Sequence, residues 1–74
     1  MSDIVLQLQG LKCPLPALRT RKTLSQMASG AVLVVECTDP LAVIDIPSLV
    51  AQTGNILEQS SARDGLLTFR IKKR

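Results

Sequence analysis

The chain has 74 residues and a net charge of +3, room for one domain over residues 1–74 and for no second core. It has two cysteines and no histidine, with no paired-cysteine spacing of the kind that builds a zinc site, so no resident metal or cofactor is expected. Phe69 is the only aromatic residue. That leaves almost nothing on which the bases of a single strand could stack, and direct nucleic-acid binding is not expected.

The opening Met1-Ser2-Asp3 lacks the basic region and apolar run of a signal peptide, and no stretch approaches membrane-spanning length. The expectation is a cytoplasmic, thiol-reducing setting without membrane contact, in which a structural disulfide is disfavoured. The basic residues gather in two places: Lys12, Arg19, Arg21 and Lys22 around the first predicted helix, and Arg70, Lys72, Lys73 and Arg74 at the end of the chain. Such clusters either solvate a face or offer a footprint to an acidic partner or RNA.

In chain order, Ile4, Leu6 and Leu8 alternate with Val5, Gln7 and Gln9, which is strand periodicity with one apolar face. Gly10 breaks it. From Pro14 to Ala28 the period becomes helical, with Ala17, Thr20, Leu24, Met27 and Ala28 on one side and Arg19, Lys22 and Gln26 on the other. Ser29-Gly30 ends that helix. Ala31 to Cys37 is a valine-rich apolar run, the pattern of a buried central strand.

Asp39-Pro40 signals a second helix start, with aspartate as the cap and proline at the first helical position. Pro47 in its middle predicts a short turn up to Asp45, a kink, and a second stretch to Thr53. Asn55–Arg63 and Leu66–Lys73 flank Asp64-Gly65, a strong hairpin signal. The order strand, helix, strand, helix, strand, strand implies a two-layer α/β sandwich, a four-stranded mixed sheet with both helices on one face.

The chemistry concentrates in Lys12-Cys13-Pro14-Leu15-Pro16. A short crossover places Cys13 beyond the carboxyl end of the first strand, the edge where open α/β sheets bind ligands. With Pro14 at the first helical position, Cys13 becomes the cap residue, its sulfur facing the positive end of the helix dipole. The dipole supplies about 0.3–1 kcal/mol, which lowers a thiol pKa by only about 0.2–0.7. Pro14 and Pro16 have no N–H to offer the sulfur, leaving Leu15 and Ala17 as donors and Lys12 as the nearest mobile cation. The expectation is a moderately activated, exposed thiol on a rigid mount, since each proline also restricts the residue before it.

The run Gly10-Leu11-Lys12-Cys13-Pro14-Leu15-Pro16 resembles the signature of the TusA (SirA-like) sulfur-carrier family. Arg21-Lys22-Thr23, Asp39-Pro40 and Asp45-Ile46-Pro47 resemble it in the same order and spacing, so the likeness spans essentially the whole chain. It implies a two-layer sandwich like the C-terminal domain of a bacterial translation initiation factor. It also implies that Cys13 carries sulfur as a persulfide, received from a cysteine desulfurase or rhodanese-like donor. The sulfur then passes to an acceptor protein for tRNA thiolation, cofactor synthesis or sulfur oxidation. Family members often carry an acidic residue between the two prolines; Leu15 stands there in this chain, a departure that bears on partner choice.

The expected role is therefore a relay protein, monomeric when free, and not a stand-alone multiple-turnover enzyme. Sulfur transfer by thiolate attack needs one accessible sulfur, and a partner can supply the activation. Arg19 and Lys22 are candidates for docking an acidic donor surface. Cys37 reads as a small core residue at the same sheet edge, the alternative being a resolving or relay role. Asp39 reads as a helix cap that could also raise the Cys13 pKa. Two alternatives stay open: a regulatory RNA- or protein-binding module, and a thiol redox protein using Cys13 with Cys37.

Overall fold

The computed structural model describes residues 3–74, so Met1 and Ser2, read above for targeting signals, lie outside the described residues. Six elements follow one another: β1 (Ile4–Leu8), α1 (Leu15–Ser25), β2 (Val32–Cys37), α2 (Ala42–Gln52), β3 (Ile56–Arg63) and β4 (Leu66–Lys72). They form one four-stranded sheet in the order β1-β2-β4-β3. β1 pairs parallel with β2, from Ile4 opposite Leu33 to Leu8 opposite Cys37. β4 runs antiparallel to both β2 and β3. The mixed sheet expected from the strand patterns is the one observed.

Strand alternation decides which face is covered. Leu33, Val35 and Cys37 of β2 and Phe69 and Ile71 of β4 are buried, while Val32, Val34 and Glu36 between them are half-buried. The inward residues meet Leu24 of α1 and Ala42, Ile46 and Val50 of α2 in one apolar cluster. Both helices therefore lie on the same face, and Val5, Val32 and Val34 fall on the open one. The parallel β1–β2 pair matters most for function. It brings the chain ends after Leu8 and after Cys37 to the same sheet edge.

Asp64 and Gly65 both have positive φ, 51° and 81°. That is the backbone of the tight hairpin turn that Asp-Gly favours.

Three departures from expectation concern the helices. α1 starts at Leu15, so Pro14 and not Cys13 holds the cap position, with Pro16 inside the first turn. Proline is tolerated there because first-turn N–H groups have no intrahelical partner. α1 also closes at Ser25, short of Ala28, as Gln26 and Met27 donate to carbonyls three residues back and tighten the end.

The third difference is α2, which is one helix through Pro47 and not a turn and a separate stretch. Three-residue hydrogen bonds from Ala42, Val43 and Ile44 back to Asp39, Pro40 and Leu41 form a lead-in that runs directly into the helix. Pro47 cannot bond the carbonyl of Val43, but Val43 is 56% exposed, so water can serve that group and the interruption is tolerated.

Candidate functional site

Cys13 is exposed, in the connection between β1 and α1. Its mount is built from both sides of the sheet edge. Gly10 N–H donates to Thr38 Oγ1 at 3.0 Å, fastening the loop after β1 to the loop after β2. Cys13 N–H donates to Asp39 Oδ2. The other oxygen of that carboxylate accepts Leu41 N–H at 3.2 Å. Asp39 is only 9% exposed, and its two bonds join the cysteine backbone to the lead-in of α2.

This corrects the reading of Asp39 as the cap of α2. The cap position is Leu41 and no side chain caps the helix. The carboxylate bonds a backbone N–H two residues on, a turn that aspartate makes readily.

The sulfur environment also differs from expectation. Leu15 N–H, proposed as a donor to sulfur, donates instead to Lys12 carbonyl oxygen at 2.8 Å. With Cys13 one residue outside the cap, the dipole has less hold on it. The thiol itself is the donor: Cys13 Sγ–H meets Asp45 Oδ2 at 2.9 Å. That bond, some desolvation, and the negative charges of Asp45 and Asp39 push the Cys13 thiol above its ordinary value. The geometry favours a protonated thiol bonded to Asp45 over a partly ionised nucleophile.

Sequence reasoning noted Asp45 only within the family-like Asp45-Ile46-Pro47 run, because nothing local links positions 13 and 45. α2 supplies the link by packing beside α1.

Cys13 and Asp45 open into a groove of about 310 Å³ between the helices. Pro14, Ala17, Leu18 and Arg21 line it from the α1 side, and Ser48, Leu49 and Gln52 from α2. Arg21 is thus the basic residue that shares the groove with the thiol. Arg19 and Lys22, the residues expected to dock a partner, are exposed but do not line it. Helical spacing explains this, since Ala17 and Arg21 are four residues apart on one face while 19 and 22 point elsewhere. Lys12 is exposed beside the cysteine. Leu15, Leu18, Leu41 and Ile44 are large, exposed and apolar, and each neighbours a group that contacts or flanks Cys13.

Cys37 is fully buried and unpaired, its thiol raised by burial and by Asp39. A resolving partner must reach the exposed sulfur, and this one is part of the apolar core. Among the described residues no group of His, Cys, Asp and Glu could hold a metal ion.

An exposed single thiol, bonded by a carboxylate and mounted on a small α/β sandwich without a resolving cysteine, is the layout of a protein that carries a group on sulfur. Comparison with known proteins makes the class specific: residues 4–73 match the family described as sulfurtransferase TusA, and the chain belongs to that family. It is 49% identical over 71 residues to the sulfur carrier protein TusA of Allochromatium vinosum, covering 96% of this chain and 93% of that one. A Neisseria meningitidis relative is 43% identical over 72 residues, covering 97% of each chain. The fold matches the crystal structure of a SirA-like protein from Desulfitobacterium hafniense with a TM-score of 0.84 at 21% identity, over 93% of this chain and 95% of that one.

Proposed function

We propose that this chain is a sulfur carrier in which Cys13 accepts sulfane sulfur from a donor protein, holds it as a persulfide and hands it to an acceptor. The observation that carries the reading is the exposed Cys13 thiol at the mouth of the α1–α2 groove, the one exposed cysteine of a chain in the sulfurtransferase family. Pro14 and Pro16 stiffen its mount, with Leu15 between them. Lys12, Arg19, Arg21 and Lys22 supply positive charge around it, and the exposed leucines and Ile44 supply apolar contact area. That combination of a basic rim and apolar patches suits a partner such as a cysteine desulfurase or a rhodanese-like donor.

The groove-side thiol is protonated at rest, so the donor complex must take part in its activation. A carrier can work this way because it reacts only when docked. The reading also calls for a reducing compartment such as the cytoplasm. Candidate destinations of the sulfur are tRNA thiolation, cofactor synthesis and sulfur oxidation.

Incubating the reduced chain with a cysteine desulfurase and cysteine, or a rhodanese and thiosulfate, tests it by mass spectrometry. A species one sulfur atom heavier is expected, mapped to Cys13, absent in Cys13→Ser and retained in Cys37→Ser. Loss of two hydrogens on mild oxidation, dependent on both cysteines and without sulfur uptake, would establish the redox alternative instead.

A further inference from the structure

We infer that Asp45 sets the sulfur-donating strength of the carrier, because its carboxylate bonds the empty Cys13 thiol and opposes the loaded, anionic persulfide. The inference rests on the carrier reading and adds a residue with a thermodynamic role to it. Its basis is geometric. Asp45 Oδ2 lies 2.9 Å from the sulfur, and both side chains line the same groove, so the carboxylate touches the atom on which cargo is built.

The transfer step is balanced. Cys13 sulfur attacks the outer sulfur of the donor persulfide, a new S–S bond forms at Cys13, and the donor's own S–S bond breaks. The donor sulfur leaves with the electron pair and takes the proton that Cys13 gives up. One sulfane sulfur moves and no external oxidant or reductant is consumed. Unloading is the same step with the acceptor thiol in the attacking place.

Asp45 acts differently on the two ends of that exchange. In the empty carrier the thiol donates a charge-assisted hydrogen bond to it. In the loaded carrier Sγ has no hydrogen to donate. A persulfide S–H is more acidic than a thiol S–H, so the cargo is more readily anionic, next to a carboxylate. Asp45 thus stabilises the empty state and destabilises the full one. The carrier is biased to give sulfur away.

The other charged groups around the thiol are accounted for. From the loop before α2, Asp39 adds negative charge in the same sense but spends its oxygens on Cys13 N–H and Leu41 N–H. From α1, Arg21 is the cation that faces the groove and favours the anionic cargo. Lys12 adjoins the cysteine in sequence. A carboxylate in direct contact with the sulfur outweighs cations that the structure does not bring into contact with it.

The test is the equilibrium of sulfur exchange between the full chain and a glutathione persulfide–glutathione buffer at neutral pH, read as the fraction of Cys13 carrying extra sulfur. Asp45→Asn and Asp45→Ser are expected to move the exchange constant about ten-fold towards the loaded carrier, the scale of one partly exposed charge-assisted bond. In both, the midpoint pH for iodoacetamide alkylation of Cys13 should fall. Asp45→Glu, which keeps the charge, should stay nearer the wild-type constant.

An unchanged constant in both neutral variants, or one shifted towards the empty carrier, overturns the role of Asp45. A wild-type chain that takes up no sulfur from the buffer or from its protein donors overturns the carrier reading itself.

Discussion

At the scale of single residues, the Cys13 thiol is governed by what accepts its proton. The Asp45 hydrogen bond, followed by desolvation and the charges of Asp45 and Asp39, favours the protonated form. Two consequences have the same sign. Alkylation of Cys13 by iodoacetamide at neutral pH should be slower than that of a free cysteine, with its midpoint displaced to alkaline pH. A group whose folded pKa is raised stabilises the fold below its unfolded pKa, about 8.5 for a thiol, and that contribution is lost as pH rises through the folded value. The buried Cys37 thiol is raised as well, by burial first and Asp39 second. Thermal midpoints should therefore hold from neutral pH to about pH 8.5 and then fall. Cys37→Ala should reduce the alkaline part of that fall, because it removes the thiol that ionises inside the core.

At the scale of elements, α1 buries a stripe four residues apart, Pro16, Thr20 and Leu24. Helical periodicity in the sequence placed Thr20 and Leu24 on the inner face correctly. Thr20 is fully buried, and its hydroxyl has no hydrogen-bond partner among the described residues. Such a group carries a desolvation cost without return. Thr20→Val keeps the shape and removes the orphaned hydroxyl, so it should raise stability by about 1 kcal/mol, as measured by urea denaturation with an unchanged m-value. A loss of that size would mean that the hydroxyl has a partner in solution.

α2 shows where local rules lose to tertiary ones. Pro47 argues for a break, yet Ile46, Leu49 and Val50 around it are buried. Packing of that apolar stripe on the sheet holds the segment helical through the one missing backbone bond.

At the scale of the molecule, the charge pattern and the groove divide the basic residues of α1. Arg21 shares the groove with Cys13, whereas Arg19 and Lys22 stand outside it. Reversal to glutamate at each position should slow sulfur uptake from a protein donor at low salt, and most strongly at Arg21. The effect should shrink as ionic strength rises. Uptake rates from desulfurase measured at two salt concentrations check this. Equal, salt-independent rates in all three variants would mean that the basic face serves solvation only.

Elsewhere one cation is engaged. Arg70 pairs with Asp3 at 2.8 Å and Glu58 at 3.3 Å, across the sheet rather than at the site.

How much of this was legible in the chain follows from the range of each interaction. Strand alternation, the Asp64-Gly65 turn, the proline-flanked cysteine and the order of elements are properties of neighbouring residues. Periodicity and backbone restriction express them directly, and with them the layered sheet and the edge where Cys13 sits. What reads as a cap at Asp39, or as a docking residue at Arg19 and Lys22, depends on what lies across from it. Only the parallel pairing of β1 with β2 and the packing of α1 beside α2 decide that. Those contacts put Asp39 on the backbone of a residue 26 positions away and Asp45 on a sulfur 32 positions away. The sequence by itself singled out the sulfur on which the proposed relay is built. The tertiary structure decided what favours its protonated form, because the carboxylate that accepts the thiol's hydrogen bond comes from the other helix.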